Sequence, residues 1–176
     1  MASVYTNHLR LEEIGSGEQS GTWGDTTNTN LELIAEAFGY GTEAITTNQD
    51  THTTTIANGA SSEGRHMYLK YTGALDSDCT ITLTNTAGDF TVSKVWIIEN
   101  ATTDSGSSGP YNIVLTSGSG ADITIPNGHV KVIYTDGAGS GGAVVDAFTD
   151  LNLAGTTTTA ALTVSGATTQ TGVSTS

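Results

Sequence analysis

Apolar and polar positions alternate along most of this chain, and the period of the alternation changes twice. Leu31, Ile34, Ala35 and Phe38 fall at i, i+3, i+4 and i+7, a spacing that predicts a helix. Thr27, Asn28 or Thr29 supplies its cap, since a short side-chain oxygen accepts from the open N–H groups of a first turn, and Gly39 and Gly41 end it. Leu33, Ala37 and Tyr40 form a second stripe roughly opposite the first, with Glu32 and Glu36 between the two. Such a wheel fits two arrangements. Either one face packs on the chain's own body and the other is left for a partner, or both faces are buried in one domain.

From about Gln49 the period drops to two. Strands are predicted in HTTTIA from His52, HMYLKYT from His66, CTITLT from Cys79, VSKVWIIEN from Val92, YNIVLT from Tyr111, DITI from Asp122, HVKVIYT from His129 and AVVDAF from Ala143. Clusters of Gly, Asn, Asp and Ser separate them at the spacing of an all-β sandwich or barrel, and about eight strands make two sheets over one core. Met67, Leu69 and Tyr71 face one side of their strand and His66, Tyr68 and Lys70 the other. Val130, Val132 and Tyr134 alternate in the same way with His129, Lys131 and Ile133.

A third texture begins at Leu151, where LNLAG and LTVSG recur eleven residues apart and Val173 falls where another unit would start. Each unit has too little apolar surface to fold alone. The strip becomes stable when neighbouring chains bury Leu151, Leu153, Leu162 and Val164 against one another around a shared axis, or else it is a Thr/Ser/Gly linker. The repeat breaks off at Ser176, so the natural polypeptide is expected to continue. The expected class is therefore mainly β: residues 1–48 an N-terminal arm with one short helix, 49–150 a β-sandwich-like domain, and 151–176 the beginning of a β-rich shaft.

Composition narrows the functions. Five basic residues against eighteen acidic ones give a net charge of -13, a field that repels a phosphate backbone, so nucleic-acid binding is excluded. No stretch is long and apolar enough to predict membrane insertion, and MASVYTNHLRLEEIG carries no signal-peptide pattern, so the chain reads as made in a cytoplasm. Cys79, the lone cysteine, reads as a small buried hydrophobe, and Trp96 as core.

Candidate chemistry is sparse. His8, His52, His66 and His129 lie in separate segments without metal-ligand spacing, so no metal or other cofactor is expected. GSGEQSG and TSGSGAD lack the lysine of a phosphate loop and do not fit the serine-hydrolase elbow. Most of the aspartates sit beside Gly, Ser or Asn in predicted turns, where Asp is favoured for bonding to backbone, and aromatic residues make up 6% of the chain, few platforms for sugars. A non-catalytic protein is expected.

The segments SGTWGDTTNTNLELIAEAFGYGTEAI, MYLKYTG, IPNGHVKVIYTDGAGSG and VVDAFTDLNL occur in this order between Met1 and about Asp150. Together they resemble the N-terminal regions of tail-fibre and related tail structural proteins of bacteriophages, particularly of marine and cyanobacterial phages. The resemblance implies a structural subunit of a homotrimeric fibre in the virion, assembled in the host cytoplasm. Its N-terminal part would join tail proteins of the adaptor, nozzle or baseplate type, and its distal part would meet a host surface receptor. On that view Trp23, flanked by Gly21 and Gly24, pins the arm to its own domain or fills a pocket on a neighbouring tail subunit, and Leu33, Ala37 and Tyr40 bury against a sister chain or the tail. A carbohydrate-binding β-sandwich is the alternative, followed by a depolymerase tailspike.

Overall fold

The computed structural model describes residues 2–106 and 108–149, so the shaft positions Leu151, Leu153, Leu162 and Val164 lie outside the described residues. The fold is mainly β, with one α-helix, α1 (Trp23–Ala37), ahead of the strands. β1 (Tyr40–Ala44) and β2 (Thr51–Ile56) form a first turn of a coil. β3 (Tyr68–Thr72), β4 (Ala74–Leu75) and β5 (Cys79–Asn85) form a second. The third comprises β6 (Ser93–Asn100), β7 (Thr103–Asp104) and β8 (Ile113–Thr116).

Successive turns stack in parallel. β3 lies between β1 and β6, β5 between β2 and β8, and β4 pairs with β7. On the first sheet Tyr40, Tyr68 and Ile97 are aligned, a repeat of 28 or 29 residues. The coil then reverses. β9 (Ile123–Ile125) runs antiparallel on β8, β10 (Val130–Asp136) antiparallel on β6, and β11 (Val144–Asp146) antiparallel on β10. The main sheets are thus β1-β3-β6-β10-β11 and β2-β5-β8-β9. All eight expected strands are present, and two sheets share one core as a sandwich does, but parallel winding rather than hairpins builds most of both.

The core fills the space between the sheets. Leu69, Ile98, Ile81, Leu115, Ile133 and Trp96 are at most 2% exposed. Its polar members are bonded: the Asn100 amide donates to the carbonyls of Ile125 (3.0 Å) and Tyr111 (3.3 Å), and its oxygen accepts from the Thr102 hydroxyl (2.7 Å) and N–H. That arrangement ties the coil's corner at β6–β7 to β9. Cys79 is a free, fully buried thiol, which burial pushes above its ordinary pKa.

The helix differs from expectation at both ends. It begins at Trp23, ahead of the expected caps, because the Gln19 carbonyl accepts from the N–H groups of Thr22 and Trp23, both at 3.0 Å. Thr22, the N-cap, makes no side-chain capping bond, and Thr27 instead donates its hydroxyl to the Trp23 carbonyl (2.9 Å) within the helix. Asn30 accepts from the Glu12 N–H (3.0 Å) and donates to the Glu12 carbonyl (2.9 Å), fastening the arm to α1. At the other end Phe38 is the C-cap, and Tyr40 belongs to β1, an edge strand of the five-stranded sheet, rather than to the helix.

Candidate interaction surface

The orientation of α1 reverses the assignment of its faces. Leu33 and Ala37, expected to meet a partner, are 3% and 5% exposed and pack against the chain's own body. The polar bonds explain why: Asn30 holds Glu12, and the Glu36 carboxylate accepts from the Ser62 N–H at 2.9 Å and lies 3.5 Å from the Arg65 guanidinium, so this side must turn inward. The larger apolar residues are left outside. Trp23, Leu31 and Phe38 are 63%, 59% and 71% exposed. At about 100° per residue they fall within an arc of about 80°, one continuous stripe.

The five-stranded sheet shows the same inversion. Ile133 opposes Trp96 inside, so Val130, Val132 and Tyr134, the greasier side of β10, face outward. Across the outer surface Tyr40, Tyr68, Ile97 and Val132 form one row, and Val95, Tyr134 and Val145 the next. The Tyr40 and Tyr68 rings are 5.5 Å apart. Beside these rows lies a small polar network in which Lys70 and Glu99 are 3.2 Å apart and the Tyr68 hydroxyl donates to Glu99 at 2.8 Å. That hydroxyl, with Lys70, holds the Glu99 carboxyl below its usual range. Contiguous apolar surface rimmed by polar groups is a feature of association surfaces. Of the expected interface residues, Trp23 and Tyr40 are therefore on the surface and Leu33 and Ala37 are not. Val95, Val130 and Tyr134 were not among the expected interface residues; for Val130 and Tyr134 the available signal is that they share one side of a half-buried strand, while Val95 stands opposite the buried Trp96 and Ile98.

Behind α1 the 3₁₀ turn Glu63–Arg65 is latched to the coil. The indole N–H of Trp96 donates to the Gly64 carbonyl (2.9 Å), Lys94 donates to the His66 carbonyl (3.0 Å), and the Lys94 ammonium sits 4.5 Å from the Trp96 ring centroid. Arg65, fully buried, donates to the carbonyls of Ala57 and Ala60. Burial, and then the neighbouring Arg65 charge, push the Lys94 pKa down from 10.5 to about 7. Between those values the unfolded chain binds more protons than the folded one, so stability rises with pH. Denaturant unfolding at a series of pH values from about 7.5 to 9.5 is expected to show this rise, and Lys94→Met is expected to remove its share of it. A slope unchanged in the variant would refute the assignment.

Groups with catalytic chemistry come together at one place. Glu43 accepts from the Thr54 hydroxyl (2.8 Å) and lies 2.8 Å from the His52 ring nitrogen, and Thr54 also bonds the Tyr71 hydroxyl (2.7 Å). Glu43, His52 and Tyr71 come from three different strands, and of the three only Tyr71 was given a side of its strand by the sequence. No cavity opens onto them among the described residues, and the arrangement pins β1, β2 and β3 together. No cluster of three or more metal-ligating side chains occurs among the described residues. The aspartates act on turns: Asp136 accepts from the N–H groups of Ala138 and Ala143, and Asp104 from those of Gly106 and Gly109.

No family model, curated protein or solved structure matches the chain.

Proposed function

We propose that this chain is a structural protein of a bacteriophage tail, the N-terminal region of a homotrimeric fibre that anchors to tail proteins and supports host attachment through its distal part. The observation that carries the proposal is the outward placement of the larger apolar side chains on both α1 and β10, in a chain whose net charge is -13. Trp23, Leu31, Phe38, Val95 and Tyr134 gain nothing from exposure to water, and burying them against sister copies or a tail socket is favourable by roughly 25 cal/mol per Å². The ordered sequence resemblance to tail-fibre N-terminal regions supports the identity proposed for the assembly. A coil with aligned turns also suits a fibre, because each turn is supported along one axis by its neighbours.

Trp23→Ala tests the proposal. The side chain is 63% exposed, so the folded chain is expected to keep its stability to within about 0.5 kcal/mol. Assembly is expected to weaken by about 2 kcal/mol, the loss seen when an aromatic anchor is truncated. Sedimentation of the full chain reads the oligomer, and incorporation into particles reads the anchor. A parent chain that stays monomeric at high concentration opposes the proposal. So does a variant that assembles as well as its parent.

A second reading has one observation behind it. The neighbouring Tyr40 and Tyr68 rings, 5.5 Å apart and tilted by 38° on the outer sheet face, offer a platform for a sugar ring, as a carbohydrate-binding module requires. Glycan binding by the full chain, abolished by Tyr40→Ala without change of oligomer, would favour it.

A further inference from the structure

We infer that Asn58–Gly59 is a site of spontaneous covalent modification governed by the N-terminal arm: Asn58 persists while the arm is docked and cyclises onto the Gly59 nitrogen when it lifts. An asparagine followed by glycine is chemically labile, because glycine has no side chain to keep its nitrogen from the neighbouring amide. The reaction needs only water. Once its proton has passed to hydroxide, the Gly59 nitrogen attacks Asn58 Cγ; the N–Cγ bond forms, the Cγ–Nδ2 bond breaks, and the amide nitrogen takes a proton from water and leaves as ammonia. Water then opens the cyclic imide at either carbonyl, giving aspartate or its β-linked isomer with no change of oxidation state.

The attack requires a free Gly59 N–H and an Asn58 side chain able to swing onto it. One residue of the arm holds both. The Arg10 carbonyl accepts from the Gly59 N–H at 2.8 Å, and Arg10 Nε donates to Asn58 Oδ1 at 2.9 Å. The second bond by itself would polarise the amide toward attack, so the protection comes from engaging the nucleophile and fixing the side chain. Tyr5 closes over the same place: a Cβ on Gly59, where φ is +59°, would lie 2.8 Å from Tyr5 Cε1. Asn127–Gly128 has the same chemistry but a different guard. The Gly128 N–H donates to the Asn100 carbonyl at 2.8 Å and the Asn127 amide to the Thr102 carbonyl at 2.6 Å, and Asn100 and Thr102 are 0% and 5% exposed. Residues 2–22, in contrast, include no buried residue and no helix or strand, only the Val4–Glu13 bridge. Such a segment opens at far less cost than a corner of the core, so the two Asn–Gly pairs have unlike lifetimes. The β-linked product lengthens the main chain where Gly59 turns beneath Tyr5, and a chain so modified does not redock its arm.

The full chain is incubated in mildly alkaline buffer, and peptide mass mapping follows the amide-to-acid conversion at each asparagine. Product is expected at Asn58 while Asn127 stays intact, and in urea both are expected to react alike. His8→Ala with Asn30→Ala removes the Ser93 N–H bond to His8 Nδ1 (3.0 Å) and both bonds to Glu12, and touches neither Asn58 nor Gly59. This variant is expected to convert Asn58 about tenfold faster or more and to leave Asn127 unchanged. Circular dichroism checks that it folds, and His8→Ala alone replaces it if it does not. Hydrogen exchange on the parent gives a reading without variants: the Gly59 N–H is expected to exchange with that of Glu13 in the arm, and the Gly128 N–H with that of Asn100. Equal conversion of the two asparagines in the folded parent overturns the inference. So does an Asn58 rate unmoved by loosening the arm, an equal acceleration at both sites, or a Gly59 N–H that exchanges with the coil.

Discussion

Trp96→Ala is expected to destabilise the chain by about 3–5 kcal/mol through the cavity and lost burial alone, a large part of the roughly 5–15 kcal/mol that holds a domain folded. The indole is 2% exposed and lies on β6, where the parallel and antiparallel parts of the five-stranded sheet meet. Its ring packs among core side chains from both sheets, and its N–H satisfies the Gly64 carbonyl. Truncation leaves that carbonyl without its donor, at a further cost of about 1–3 kcal/mol, and takes away the ring under the Lys94 ammonium. Trp96→Phe separates the two contributions, since it keeps most of the packing and loses only the N–H; about 1–2 kcal/mol is expected. Urea unfolding followed by circular dichroism measures both. An alanine variant with the parent's midpoint would show that the core does not depend on this ring.

Trp96 was legible as core, and the reason shows what sequence pattern carries. Trp96 and Ile98 stand on one side of a strand, and a strand buried on that side keeps them inside whatever its neighbours are. Leu69 and Tyr71 follow the same rule, and both are fully buried. Pairing direction has no such signature. The aligned positions Gly41, Leu69 and Ile98, or Glu43, Tyr71 and Asn100, share a place in the coil but no residue type, so the repeat leaves no trace in composition. β1 was missed because YGTEA alternates weakly. It is held as a strand by β3 alongside, and Gly41 is required there because a side chain would strike His66 and Glu63.

The candidate surface was half legible for a related reason. Hydrophobic period locates a stripe but does not say which stripe faces inward, and on both α1 and β10 polar or aromatic partners decide it. Asn30 and Glu36 commit their side of the helix to the body, and Trp96 commits Ile133 to the core. The start of α1 was displaced in the same way. Thr-Thr-Asn-Thr-Asn is a poor helix former by intrinsic propensity, yet Thr26 bonds Gln19 and Asn30 bonds Glu12, and these contacts outweigh a preference of a few tenths of a kcal/mol per residue.

Gly73→Ala is expected to cost about 3–5 kcal/mol, although it adds a single methyl group. Gly73 sits at the corner between β3 and β4 with φ +123°, a backbone region that residues with a Cβ rarely adopt and that costs about 1–3 kcal/mol to impose. At this corner the second turn is bonded to both its neighbours, through Ile45 on one side and Thr103 on the other. A Cβ there would lie 2.2 Å from the Ile45 carbonyl oxygen and 3.1 Å from its carbon, while the Gly73 carbonyl accepts from the Thr103 N–H at 2.8 Å. The methyl therefore cannot be admitted by moving a flexible side chain. Either the first turn lifts away from the second, loosening the Ile45-to-Thr72 bond, or the second turn gives up its bond to the third. Gly88→Ala is the control, because φ there is also positive at +73° while no atom lies within 4 Å of the added carbon. It is expected to cost only about 1 kcal/mol, through the backbone term alone. The difference between the two variants in denaturant midpoint, beyond the larger backbone cost at φ +123°, measures what the close stacking of turns demands, and equal midpoints would mean that the coil does not wind as tightly at this corner as its bonds indicate.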